Sequence, residues 1–278
     1  MLIAAFFEVG LTWVVISVVV MALILLVPYG LGPVLIYATH KQSAAPKLVA
    51  FQPGATPLPV DVDKFFHSSS WALTQEGFTV ETGLFLPSQI ENIVVALILL
   101  INRRESDVAI LAAMHSNSPM AESLTQFHTE FVTRYRDGRI VQTNNADTLN
   151  AFPPPTGAVN SYFPSIKDPQ QLYRLHQAQS KRHGSRQKVL PLDEQHAGNA
   201  VAYATAAMVE ELNEACKAGF MWLDRASASY RPTIGGAFKM TYGELWPFKS
   251  IRRSKRARRE RQMLDELAFE VPGINQRR

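Results

Sequence analysis

Between Lys249 and Arg261 the chain carries eight basic side chains and one acid, Glu260. The basic positions are Lys249, Arg252, Arg253, Lys255, Arg256, Arg258, Arg259 and Arg261. Guanidinium and ammonium groups at this density make charge-assisted hydrogen bonds to phosphate or carboxylate oxygens, so the chemistry they offer is contact with a polyanion. The run has a net charge of +7 in a chain whose total is +4, which leaves the remainder at −3. Basicity this local excludes a protein that coats nucleic acid with its whole surface.

Other reactive residue types are scattered. His176 and His183 lie seven apart in one helical pattern, without a Cys, Asp or Glu at ligand spacing, so they read as surface histidines rather than a metal pair. Glu210, Glu211 and Glu214 could serve acid–base work, but no His stands at a matching offset, and a solvated helix face is the expectation. Cys216 is the only cysteine. It excludes an internal disulfide, suits a reducing compartment, and reads as a small semi-buried side chain. His128, His176 and Glu210, the best would-be catalytic carriers, lie on separate predicted elements. The sequence therefore assigns no catalytic residue, cofactor or metal site, and leans against an enzyme.

The elements that must position these groups follow from periodicity. A helix is expected over 62–76, with Val62, Phe65, Phe66, Ser69 and Leu73 on one face and Gly77 as its stop. Alternation in Phe78, Val80, Thr82, Leu84 and Leu86 gives a strand. The continuous apolar run Ile93 to Ile101 reads as a buried central strand, returning through Asp107 to His115. Phe127 to Tyr135 and Arg139 to Thr143 form a hairpin on Asp137-Gly138, expected as a two-residue turn with positive φ angles. These segments predict an antiparallel meander of about five strands. The proline-rich 151–169 reads as a stiff connector over a sheet edge. Asp168 and Pro169 open a helix with Leu172, Leu175 and Ala178 inward, ending near Gly184.

After a polar loop at 181–188 the pattern changes. A helix over 199–218 places Val201, Ala204, Met208, Leu212 and Ala215 inward. A short hairpin is expected over 220–233, and then a long helix over 234–268, kinked at Pro247. The middle of that helix, Arg252 to Arg261, is basic on every face. It is expected to project away from any core, with Trp246 and Phe248 at a membrane boundary.

The N-terminal stretch carries the boldest expectation. Leu2 to Thr39 holds a single charge, Glu8, and Val9 to Val27 holds none. Such a run predicts a transmembrane anchor over 1–40, with Tyr29 and Tyr37 near a headgroup region. Lys41 and Lys47 then place the N-terminus outside and the rest in the cytoplasm. The expected order is an anchor (1–40), a Pro-rich tether (41–61), an α+β domain (62–184) and a helical C-terminal region (185–278). The expected function is a single-pass membrane protein whose domain acts as a binding or scaffold module near the inner leaflet, with the lipid bilayer, anionic headgroups and an unspecified protein or ligand as partners. The alternative is a nucleic-acid binder using the basic helix.

Overall fold

The computed structural model describes residues 13–17, 19–21, 23, 26–86, 93–116, 125–147, 154–184, 189–195 and 199–267. The expectations for residues 1–12 of the anchor, for the loop at 185–188 and for Ala268 lie outside these residues. The fold is α+β, around a seven-stranded sheet in the order β2-β3-β4-β5-β6-β7-β8. Its strands are β2 (Val49–Phe51), β3 (Thr79–Leu86), β4 (Ile93–Asn102), β5 (Asp107–Ser116), β6 (Gln126–Arg134), β7 (Ile140–Asn144) and β8 (Ala158–Tyr162). Neighbours are antiparallel except β7 and β8, which run parallel. The expected five-stranded antiparallel meander is thus corrected to a mixed sheet, with one strand added at each edge. β2 comes from the expected tether: the Phe51 ring lies within 2.8 Å of where a Cβ would stand on Gly83, so glycine there is what lets the edge strand sit close. β8 comes from the Pro-rich connector.

The sheet is covered on both faces, which is why β4 is apolar from Ile93 to Ile101 instead of alternating. One face takes α2 (Val60–Thr74) and α3 (Pro169–His183). There Ala96, Ile98, Leu100, Leu111 and Phe131 meet Val62, Phe66, Leu73, Leu172, Tyr173 and Leu175 in the main core. A fully buried side chain of the size of Phe131 contributes roughly 1.5–3 kcal/mol. The other face takes α4 (Ala200–Lys217), where Leu97, Leu99, Ile101 and Ile110 meet Tyr203, Val201 and Ala204. α3 opens as expected: Asp168 Oδ1 accepts from the Gln170 N–H at 3.0 Å, with Pro169 at the first helical position.

The β6–β7 turn differs in detail from the expectation. Only Gly138 has positive φ, +82°. Tyr135 and Arg139 close a three-residue loop through Tyr135 N–H to the Arg139 carbonyl, and Asp137 Oδ1 accepts from the Arg139 N–H at 3.0 Å. Asp137 caps the turn instead of sharing the left-handed conformation.

A second sheet, β1 (Gln42–Ser43), β10 (Ser229–Pro232) and β9 (Met221–Asp224), packs against the outer side of α4. Beyond it lie α5 (Ile234–Glu244) and α6 (Phe248–Leu267), two helices separated by Leu245-Trp246-Pro247 where one kinked helix was expected.

The transmembrane expectation is overturned. Among the described residues no helix is long and apolar enough to cross a membrane. That removes the anchor over 1–40, the single-pass localisation and the N-out topology built on it. At Val27 the backbone widens into a π turn, Val27–Leu31, and α1 (Gly32–Thr39) follows with only eight residues. The described residues before the turn, 13–17, 19–21, 23 and 26, are helical too. α1 packs on α5, where Pro33 is buried, while Val27, Leu31, Val34 and Leu35 stay exposed. The Tyr242 hydroxyl donates to the Tyr29 carbonyl at 2.9 Å, and Arg231 donates to the Ala38 carbonyl at 3.3 Å.

Candidate polyanion-binding surface

α6 carries all eight of the predicted basic contacts, and its two sides differ. Arg252, Arg256, Glu260, Met263, Leu264 and Leu267 recur at helical spacing, and this side docks on the protein. Leu267 is fully buried in the main core, with Met263 and Leu264 packed beside it. Glu260 is buried because its Oε1 accepts from both the Ser165 N–H at 2.8 Å and the Ser165 hydroxyl at 2.6 Å. Arg256 donates through Nη1 to the Asp147 carbonyl at 2.6 Å and lies over the Tyr162 ring at 5.1 Å. The expectation that this basic stretch cannot pack is corrected: polar partners on loops satisfy the charges that face inward.

Around the rest of the helix Arg253, Lys255, Arg258, Arg259 and Arg261 are exposed. None of the five stands within ion-pair distance of a carboxylate among the described residues. Between the start of α6 and the loops at Asp147 and Ser165 lies an open cleft of about 530 Å³. Lys249, Arg252, Arg253 and Arg256 line it together with Glu244, Asp147 and Glu260. The acids are already engaged, Glu244 with Lys249 at 2.9 Å, Asp147 with Lys167 at 3.6 Å and Glu260 with Ser165. The Arg252 guanidinium lies against Gly243, where a Cβ would stand 2.1 Å from Nη1. The Arg256 nitrogens Nε and Nη2 are buried without a partner. Those two form one edge of the guanidinium fork, the edge that takes a carboxylate or phosphate side-on. Burial pulls the Arg256 pKa below its ordinary value.

Trp246 and Phe248 fall in the segment between Glu244 and Lys249, two residues of the cleft lining. Trp246 is 74% exposed at the α5–α6 break. Phe248 is partly exposed and stacks on Tyr242 with centroids 5.7 Å apart, and Tyr242 in turn meets Tyr29 at 5.9 Å. Of the four aromatic positions expected at a membrane boundary, Tyr29 is thus folded into this pile, Tyr37 is exposed on α1, and Trp246 and Phe248 stand beside the basic cleft.

The would-be catalytic carriers are divided between the two faces of the sheet. His176 is fully buried on α3, where a surface position was expected. Its Nε2 stands 2.8 Å from Thr133 Oγ1 and its Nδ1 3.1 Å from Thr143 Oγ1. Thr133 donates to Asp107 Oδ1, and the Tyr173 hydroxyl donates to Asp107 Oδ2 at 2.9 Å. With the Thr133 proton given to Asp107, its oxygen accepts from His176 Nε2–H, and Nδ1 accepts from Thr143. Burial lowers the His176 pKa to about 3. It raises Asp107 to about 6, against the opposing hydrogen bonds from Thr133 and Tyr173. Ser or Thr beside His and Asp suggests a nucleophile, but this chain runs Asp–Thr–His–Thr inside a packed core, and a substrate has no route to it. It is a satisfied structural network.

His128 and Glu210 lie on the α4 side. Glu210 pairs with Arg134 at 2.7 Å. Sequence reading missed the carboxylate beside that pair, Glu130, which lines a small cavity with Glu211. The signal for it was present: Glu130 falls between Thr129 and Phe131 in an alternating strand whose two faces are both covered. Among the described residues no group of three or more His, Cys, Asp or Glu side chains is placed to hold a metal ion. No protein-family model matches this chain, and neither a curated protein nor a solved structure is similar to it.

Proposed function

We propose that this protein is a non-catalytic binding module that holds a phosphate-bearing strand, single-stranded nucleic acid, along α6 and its adjoining cleft. The observation that carries the reading is the set of five exposed cations on α6 without carboxylate partners among the described residues, next to a cleft lined by Lys249, Arg252, Arg253 and Arg256. Trp246 adds a flat apolar face beside that track, and rings next to a basic groove are how single strands are bound with little sequence preference. The argument for a lipid leaflet rested on a neighbouring membrane span, and it falls with the span.

The test is the anisotropy of a labelled oligothymidylate and a matching RNA, titrated at several salt concentrations. With about five phosphates neutralised, the log-affinity should fall against log salt with a slope of roughly −3.5. Replacing Arg253, Lys255, Arg258, Arg259 and Arg261 with Gln should flatten that slope. Trp246→Ala should cost about 1–3 kcal/mol of binding. Tighter binding to anionic vesicles than to either strand at physiological salt would replace this reading with a headgroup contact. Binding to neither leaves α6 a solvated helix.

A further inference from the structure

On the face of the sheet covered by α4, a cavity of about 120 Å³ opens between the strands and the helix. Its walls are aliphatic, from Leu97, Leu99 and Ile110 on the strands to Ala207 and Met208 on α4. Two carboxylates face it, Glu130 from β6 and Glu211 from α4. Glu130 is half-buried and makes no ion pair or side-chain hydrogen bond among the described residues, while Glu211 stands exposed at the mouth. The one cation in the lining, Arg134, is held by Glu210 at 2.7 Å and lies 5.9 Å from the Tyr203 ring, so its charge is already balanced. The cavity is therefore apolar below, with two carboxyl groups above that no cation of the lining pairs with.

We infer that this cavity is a binding site for a small organic cation, a primary ammonium on a short aliphatic body, with the ammonium held by Glu130 and Glu211 and the hydrocarbon against Leu97, Leu99 and Ile110. A cavity of about this size takes a benzene-sized apolar group, so four to six carbons fit. Two carboxylates fall short of the six to eight oxygens that a calcium ion takes, which separates an ammonium from a hard metal cation. Burial, and secondarily the charge of Glu211, pushes the Glu130 carboxyl up to about 8. The empty site at neutral pH therefore holds a proton on Glu130, and an arriving ammonium displaces it. The charged or titratable groups around Glu130 are Arg134 on its own strand, Glu210, Glu211 and Tyr203 from α4, and Tyr162 from β8. None is supplied by β4 or β5, whose contributions are aliphatic.

The experiment uses the full chain and n-butylammonium, read by saturation-transfer NMR of the butyl protons, with n-butanol, butyrate and calcium chloride as comparisons. Transfer to butylammonium alone is expected, with an affinity that rises roughly tenfold per pH unit below pH 8 and levels above it. Glu130→Gln should weaken it at least tenfold and abolish the pH dependence. Ala207→Leu, which fills the cavity and leaves both carboxylates, should remove it while the circular dichroism spectrum stays that of the parent. Glu211→Gln, at the exposed mouth, should weaken binding without loss of fold and serves if the other two variants do not fold. Equal transfer to butanol, preference for butyrate or calcium, unaltered binding in the variants, or no transfer to butylammonium at millimolar concentration would each overturn the inference.

Discussion

The two faces of the large sheet are built by the same strands and handle polar groups in opposite ways. β6 contributes Thr133 to one face and Glu130 to the other, a difference of three positions in a chain whose side chains alternate. On the α2–α3 face the polar groups are closed into a network in which Asp107, Thr133, His176, Thr143 and Tyr173 each have partners, among packed rings. On the α4 face the walls are aliphatic, a cavity remains, and Glu130 has no hydrogen-bonded partner among the described residues. A satisfied polar group in a core adds specificity at little cost, whereas an unsatisfied one persists where something else needs it. The first face holds the fold together, and the second has room for a ligand.

The contrast can be broken most severely at Phe131, which packs against Phe78, Tyr173 and His176. Phe131→Ala should cost about 3–5 kcal/mol, read as a fall in the midpoint of chemical denaturation. A loss under about 1 kcal/mol would mean that this face is not the tightly packed one.

The next largest effect concerns acid. His176 has its folded pKa lowered from 6.5 to about 3, so its contribution is fully present above pH 6.5 and is lost as pH falls through that window. Asp107 is raised from 3.8 to about 6, so its contribution is present below pH 3.8 and lost as pH rises through 6. Between pH 4 and 6 the two slopes oppose. With Glu130 also losing stability above pH 4.5, His176→Gln should leave a protein whose stability falls steeply as pH rises from 4 to 6, and Asp107→Asn one that is nearly flat over the same range, His176 rising against Glu130. Identical pH profiles for the two variants would show that the groups do not titrate as a pair of opposite sign.

A smaller effect belongs to the other face. Glu130 is raised from 4.5 to about 8, so stability should fall as pH rises from 4.5 to 8, and only this group of the three acts between pH 6.5 and 8. Glu130→Gln should remove that slope and raise Tm at pH 8 by about 2–4 °C, equivalent to ~1 kcal/mol for a chain of this size. A lowered Tm would mean that Glu130 already has a stabilising partner.

The smallest effect is a control. Gly138 turns β6 into β7 at φ +82°, and a Cβ added there would meet nothing within 4 Å, so Gly138→Ala tests backbone strain alone. It should cost about 1 kcal/mol in thermal denaturation while leaving both pH slopes as they were. A change in either slope would show that the turn sets the alignment of the titrating groups.

Much of the sheet was legible because its periods are strong: the run of β4, the alternation of β6 and the Asp168-Pro169 helix start each have one local cause. The polar network was not legible, since nothing local tells Thr133 that its partner His176 lies 43 positions on. The cleft was hidden for a related reason. Hydropathy counts Arg256 and Glu260 as outward-facing, and only the loops at Asp147 and Ser165 turn them inward. Hydropathy also could not show that the N-terminal run is tied to the C-terminal region, through α1 packing on α5 and the Tyr242 hydroxyl donating to the Tyr29 carbonyl.

The seating of Leu267 in the same core as Phe131 has a consequence for how the chain is made. Protein synthesis runs from the amino end at roughly 5–20 residues per second, so the ~136 positions separating these two side chains take about 7–27 s to appear. Once β8 has followed, the large sheet has all its strands but its main core stays open at one corner, and an apolar surface destined for α6 faces whatever surrounds the ribosome until Leu267 is made. A nascent chain of this design depends on being shielded for that time, and truncations before Met263 should be found with chaperones or in aggregates even though every strand of the sheet is already present.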